Sequence, residues 1–260
     1  MVALNEIVEY MNSLFRTKNL KSFSEEVGVT YDSQKPISKI GYCTNLTLDS
    51  IEKAAKHGVD LLVTHHDAWE FIYGLKEECI NKLKEYGISH YFAHLALDDA
   101  EFGTNSSLLS KLGLNEVSKH GDEKGFQYGA VGVFDNPVTF TELHKKINDI
   151  TGEPNMAWKF NDKLIKKVFV VCGAGFMTSE IKMAVDLDCD VYITGEKILY
   201  TMQYSQFKKI NLIIGSHTFT ELFGVESLVK KVTSKFTDIV EVRVNEEHLE
   251  MQPLIDLCGK

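Results

Sequence analysis

Two stretches of this chain repeat one plan, and that repetition restricts the fold more than any other feature. "ISKIGYC…DSIEKAAKHGVDLLVTHH" (37–66) and "IKKVFVVC…TSEIKMAVDLDCDVYITGE" (165–196) each read Ile-x-Lys, an apolar strand, a capped helix, an acidic-led strand and then threonine. Thr64 and Thr194 fall at matching places, with two extra residues in the second copy. Strands alternating with helices predict an α/β fold with mostly parallel pairing. A repeat of this length predicts two similarly built lobes, and 260 residues suffice for two. The expected organisation is a first α/β lobe over 1–125 and a second over 126–235. A C-terminal strand segment, 236–260, is expected to return to the first lobe.

The pattern of apolar residues and caps predicts helices over 4–16, from Asp49 or Ser50 as N-cap to Gly58, over 75–86, 140–151 and 178–186. Thr139 or Thr141 is the expected cap of the fourth. Strands are expected at 37–46, 59–64, 88–95, from Phe126, at 165–175 and at 189–196.

Composition excludes several classes. A net charge of −9 provides no basic field for a phosphate backbone, so nucleic-acid binding is disfavoured. The five cysteines (Cys43, Cys79, Cys172, Cys189, Cys258) are scattered, odd in number and without a Cys-x-x-Cys pair. Cys43, Cys172 and Cys189 read as small core residues, and no disulfide framework is expected, which points to a reducing compartment. "MVALNEIVEYMNSLF" places Glu6 and Glu9 within its apolar pattern, as an amphipathic helix does and a secretory signal does not. No apolar run has the length of a membrane span. The expectation is a cytoplasmic protein.

The strand 59–64 ends in two adjacent histidines, His65 and His66. Successive strand side chains point to opposite faces. Either the chain turns there and both imidazoles reach one site, or one packs and one is solvated. Three other places carry ligand-type residues. "FAHLALDDAEFG" ends a strand with His94, Asp98 and Asp99, at the carboxyl edge where ligands of α/β sheets gather. "GSHTFTE" offers His217 and Glu221, an i, i+4 pair on one face if helical. In the second copy of the repeat, Gly195 and Glu196 take the place of the two histidines. His65, His66, Asp98, His217 and Glu221 form the mixed nitrogen and oxygen set used for zinc, iron or manganese. Five such donors exceed one tetrahedral ion with an open position. They suit two ions sharing a carboxylate, with His65 and His66 divided between them.

"LLVTHH", "YFAHLALD", "DVYITGE" and "GSHTFTE", in this order over nearly the full chain, resemble the Ngg-interacting-factor-three-like proteins, commonly labelled GTP cyclohydrolase 1 type 2. The resemblance implies two related α/β lobes with a dinuclear metal site in the cleft between them. It implies two divalent metal ions held by His65, His66, Asp98, His217 and Glu221. It also implies a small-molecule, nucleotide substrate: GTP would be opened at its imidazole ring to dihydroneopterin triphosphate and formate. A homo-oligomer, a hexameric ring, is implied as well. The family usually has proline after the paired histidines; this chain has Asp67.

Glu196, Asp67 and Asp99 are candidate proton carriers. His94 either orients a ligand from behind or caps its strand. "CGAGF" (172–176) lacks the Walker lysine and reads as a tight turn before a phosphate cradle. Trp69, Phe71 and Tyr73 could stack a purine, but core packing is the expected role. His57, His90, His120, His144 and His248 read as structural or surface residues. Two functions follow: a metal-dependent hydrolase, or a non-catalytic metal-delivery or partner-binding protein. A hydrolase turns over and is inert without metal; a delivery protein binds metal reversibly without turnover.

Overall fold

A computed structural model describes residues 1–16 and 20–251 of the chain. In chain order the elements are α1 (Leu4–Ser13), α2 (Leu20–Glu26), β1 (Val27–Tyr31), β2 (Lys39–Tyr42), α3 (Leu48–Lys56), β3 (Leu61–Thr64), α4 (Leu75–Tyr86) and β4 (Ser89–Ala93). There follow α5 (Leu95–Asp99), α6 (Thr104–Lys111), β5 (Asn115–His120), β6 (Gly129–Val138), α7 (Phe140–Thr151) and β7 (Met156–Trp158). The chain continues through β8 (Ile165–Val171), α8 (Thr178–Asp186), β9 (Val191–Thr194), α9 (Leu199–Lys208), β10 (Asn211–Ile214), α10 (His217–Lys235) and β11 (Val240–Arg243). The described residues thus form a mixed α/β protein with two sheets and ten helices.

They divide into two compact units: residues 1–16, 20–107, 121–128 and 221–246, and residues 108–120, 129–220 and 247–251. The first contains a five-stranded sheet of order β1-β4-β3-β2-β11. β11, β2, β3 and β4 run parallel, and β1 lies antiparallel against β4. β3 is buried along its whole length, as befits a strand covered on both faces. Leu62 packs in a core with Cys43, Ile51, Cys79 and Leu83.

The second unit contains a six-stranded sheet of order β5-β6-β8-β9-β10-β7. Here β8, β9 and β10 are parallel, whereas β5, β6 and β7 pair antiparallel with their neighbours. Mostly parallel pairing therefore holds for the first unit and not for the second. A meander through β5 and β6 adds the extra antiparallel edge, and neither strand belongs to the repeated segment.

The repeat extends further than its sequence signal. β2-α3-β3-α4-β4 and β8-α8-β9-α9-β10 share one strand order, and each has its preceding strand, β1 or β7, antiparallel on the outer edge. The acidic residue that leads each copy's second strand has a physical role. Asp60 accepts hydrogen bonds from the N–H groups of Ser38 and Lys39, and Asp190 accepts from those of Lys166 and Lys167. Each carboxylate thereby satisfies the start of the neighbouring strand.

Local capping agrees with the sequence at α7, where Thr139 and Glu142 form a reciprocal capping box. It differs at α3. The N-cap is Thr47, two to three residues earlier than Asp49 or Ser50, because the Thr47 hydroxyl accepts from the Ser50 N–H while the Ser50 hydroxyl accepts from the Thr47 N–H. Gly58 ends that turn at φ +65°, in the region glycine enters without Cβ strain. Phe71 and Tyr73 are not core: they are 73% and 97% exposed, in the loop before α4. No helix among the described residues is long and apolar enough to cross a membrane.

Candidate metal centre

The paired histidines sit where β3 stops being a strand. The N–H groups of His65 and His66 both donate to the same carbonyl, Thr44 O, at 3.0 and 2.9 Å. Sharing one acceptor breaks the two-residue alternation, so both side chains stay on the same side and both are buried. Their ring centroids are 4.7 Å apart. The chain turns, and neither imidazole is given up to solvent.

Each ring is oriented through Nδ1. His65 Nδ1 lies 2.8 Å from the Ala93 carbonyl, and His66 Nδ1 lies 2.8 Å from Asn45 Oδ1. A carbonyl only accepts, so His65 Nδ1 carries the proton and a neutral ring keeps its lone pair on Nε2. His65 Nε2 faces Asp98 Oδ1 and Glu221 Oε1, both at 3.6 Å, and His66 Nε2 faces Glu221 Oε2 at 3.3 Å. The two oxygens of Glu221 thus address one imidazole each. Asp98, from the short helix after β4, is held by a hydrogen bond from the Thr104 hydroxyl.

His94 joins this group. Its ring lies 5.1 Å from that of His65 and 5.5 Å from that of His66, and ligand atoms of the three histidines all lie within 4.8 Å of one another. His94 Nδ1 donates to Glu26 Oε2 at 2.6 Å, and Lys124 Nζ donates to Glu26 Oε1 at 2.6 Å. Burial pushes the Glu26 pKa up, but the hydrogen bonds and charges of His94 and Lys124 outweigh it and bring it down to about 2. For His94, burial lowers the pKa; the Glu26 hydrogen bond and the charges of Asp98, Glu26 and Glu221 reverse that and leave it raised. The His94 side chain makes no capping bond to α5, and its ring stands with those of His65 and His66 as a third candidate donor.

His217 opens α10, one helical turn before Glu221. Its Nδ1 is paired with Glu196 Oε1 at 2.6 Å, and the hydrogen bond from His217 is what holds the Glu196 pKa below its ordinary value. Glu196 is therefore placed to orient an imidazole. Asp67 is buried and accepts from the Thr30 hydroxyl, with Lys76 Nζ at 3.2 Å. Asp99 is buried and accepts from the Gln127 N–H. His90 is structural: burial drives its pKa down to about 4, and its Nε2 meets the Thr64 hydroxyl at 2.8 Å. In the 172–176 segment the Gly173 N–H donates to Thr220 Oγ1, and the Gly175 and Phe176 N–H groups are engaged within the turn. That segment is a tight turn and no phosphate cradle.

Glu26, Asn45 and Lys124 carry no spacing signal that marks them in the sequence. Glu26 reaches His94 only because β1 pairs with β4, setting Val27 opposite Ala93. Asn45 reaches His66 through an isolated parallel bridge between those two residues.

Two α/β units of one topological plan, the first with a buried cluster of imidazoles and carboxylates at a strand end, define a candidate metalloprotein. The family described as Duf34/NIF3 (NGG1p interacting factor 3) matches residues 2–253, and the chain belongs to it. A protein of Archaeoglobus fulgidus named GTP cyclohydrolase 1 type 2 homolog is 26% identical over 237 residues, 89% of this chain and 94% of that protein. One of Pyrococcus abyssi with the same name is 28% identical over 238 residues, 89% and 93% of the two chains. Among solved structures, protein ybgI, described as of unknown function, superposes with a TM-score of 0.77 at 21% identity, covering 94% of this chain and 96% of that one. Reduced HcgD from Methanocaldococcus jannaschii superposes with a TM-score of 0.76 at 24% identity, covering 94% and 98%.

Proposed function

We propose that this protein is a hydrolase dependent on two divalent metal ions, held by His65, His66, Asp98, His217 and Glu221. The observation that carries the reading is the placement of Glu221 opposite both imidazoles of the pair, one oxygen toward each Nε2. A neutral imidazole with Nδ1–H engaged presents a lone pair at Nε2, and a carboxylate presents more lone pairs. Acceptors converging at 3.3–3.6 Å repel one another unless a proton or a metal cation lies among them, and a metal serves all of them at once. The nitrogen and oxygen donor set fits zinc, iron or manganese.

When bound, such a pair of ions supplies a water acidic enough to deprotonate near neutral pH and a Lewis acid for the group attacked. The chain's own residues do the rest. The Ala93 carbonyl and Asn45 orient His65 and His66; Glu196 orients His217 through Nδ1; Glu26 and Lys124 anchor His94 beside the pair. Asp67 and Asp99 remain the further candidates for moving a proton. The substrate proposed is a nucleotide, with GTP first, because the relatives bear the name GTP cyclohydrolase 1 type 2 homolog. A hexameric ring in the cytoplasm is the assembly and place proposed with it, and sedimentation would test the first.

The deciding experiment is metal analysis of the purified protein, followed by assay of formate release from GTP with and without a chelator. Two ions per chain and chelator-sensitive turnover are expected. Two ions without turnover on GTP, other nucleotides or cyclic amides, combined with transfer of the metal to an apo-acceptor, would replace this reading by metal delivery.

A further inference from the structure

His65 and His66 differ in what orients them. The Ala93 carbonyl behind His65 can only accept. The Asn45 amide behind His66 has an oxygen at one end and an NH2 at the other, so it could present either one. Which end faces His66 decides where that imidazole carries its proton, and a residue far away in the chain makes the choice.

Glu246, just beyond β11, stands 201 residues from Asn45. Its Oε1 accepts from the Asn45 N–H at 2.9 Å and from Asn45 Nδ2 at 2.8 Å, and its Oε2 accepts from the Thr44 N–H at 2.7 Å. Each of these three contacts is made by an N–H donor, so the ionised carboxylate is the form they satisfy. Burial pushes its pKa up and these donors offset that only in part, so the group stays above its ordinary value; the three N–H contacts are the geometry that favours the ionised form. An ionised carboxylate accepts only, which turns the Asn45 NH2 toward Glu246 and Oδ1 away from it. Asn45 Oδ1 then meets His66 Nδ1 at 2.8 Å. An amide oxygen also only accepts, so the proton of the neutral ring sits on Nδ1 and the lone pair on Nε2. The backbone holds the same geometry, since the His66 N–H donates to Thr44 O and the Leu46 N–H to His66 O.

We propose that Glu246 and Asn45 are positioning residues that lock His66 in the Nδ1–H tautomer, so that its Nε2 lone pair is the one available to a metal. The metal consequence rests on the reading of His66 as a ligand; the tautomer does not. Without Glu246 the Asn45 NH2 loses the carboxylate that holds it, and a flipped amide would draw the His66 proton to Nε2, the atom that must be bare.

The test begins with the metal-free protein at pH 8, with histidine nitrogens observed by long-range 15N–1H NMR. His66 is expected to show a protonated Nδ1 and a bare Nε2. A His66 ring protonated at Nε2, or a mixture of the two tautomers, would overturn the proposal. Zinc titration of Glu246→Ala should then show one subsite weakened by about 10–100-fold, the usual effect of removing a ligand's outer partner. Adding Asn45→Asp to Glu246→Ala should restore most of that affinity, because a carboxylate at position 45 accepts from Nδ1 whichever way it turns. A merely structural role for Glu246 would not be rescued this way, so failure of rescue also overturns the proposal. The His65 signal, set by a backbone carbonyl, should stay unchanged and reports that each variant is folded. The expected tautomer with no zinc bound would sink the metal reading and leave the relay standing; zinc bound with the proton on Nε2 in the metal-free protein would do the reverse.

Discussion

The ends of β3 and β9 are the same place in two copies of one plan, and they differ in what the chain does next. Both strands are led by an aspartate that braces its neighbour, both run parallel to the strands on either side, and both end in a buried threonine. After Thr64 come two imidazoles; after Thr194 come glycine and glutamate. The Thr64 hydroxyl donates to the His66 carbonyl at 2.7 Å, while that of Thr194 donates to the Gly173 carbonyl at 3.1 Å. At Gly195 a Cβ would stand 2.7 Å from His217 Cα and 2.8 Å from Gly173 O, both backbone atoms that cannot step aside. Burial of alternating strands and helices is enough to duplicate a scaffold. The position that holds His65 in the first copy has no room for even a Cβ in the second, so the second strand end cannot carry the same pair.

The comparison breaks most decisively at Glu221. Glu221→Ala should abolish occupancy of both metal subsites, whereas His66→Ala or Asp98→Ala should empty one, measured as bound metal per folded chain. Retention of two ions by Glu221→Ala would remove the bridging role. Turnover should fall in His65→Ala even with the second ion retained.

The next largest effect concerns the brace behind the first strand end. Glu26→Gln should destabilise the metal-free protein by about 1.5–3 kcal/mol, the range for hydrogen bonds to charged groups, read from urea unfolding. The pH window follows from the two shifts. Glu26 has its pKa depressed from 4.5 to about 2, so its contribution is present above pH 4.5 and lost as pH falls toward 2. His94 has its pKa raised from 6.5, so its contribution is present below pH 6.5 and lost as pH rises through the folded value. The gap between wild type and variant should therefore be widest between pH 4.5 and 6.5. A gap that grew on acidification below pH 4.5 would contradict the pairing.

At the second strand end, Gly195→Ala should destabilise the fold by about 1–3 kcal/mol, as overpacking against fixed atoms does. A neutral result would show that the second copy has room for a side chain after all. The smallest difference is expected from the two threonines. Thr64→Val and Thr194→Val should each lose about 1 kcal/mol of hydrogen bonding, but only Thr64→Val should also weaken metal binding, because only Thr64 holds the backbone of a proposed ligand.

Much of the scaffold was legible in residues a few positions apart. Apolar periodicity and glycine punctuation located α4 at 75–86 and α8 at 178–186, and one of the two threonines expected to cap α7, Thr139, is its cap. The internal repeat gave the shared strand–helix plan, and the residue types of the pair after β3 and of the first turns of α10 announced a metal-type donor set. Other features depended on segments distant in sequence. The antiparallel edges β1, β5, β6 and β7 lie outside the repeated stretch, so its periodicity carried no information about them. The Thr47 cap was hidden because Asp49 and Ser50 are equally good capping residues, and only the reciprocal bond between Thr47 and Ser50 selects the true start. Donor types are properties of single residues and can be read from sequence. The direction of a lone pair is a property of whatever lies behind the ring. For His65 that is a carbonyl on β4, for His94 a carboxylate next to β1, and for His66 an amide turned by Glu246, 201 residues further along the chain and beside it only because β11 pairs with β2.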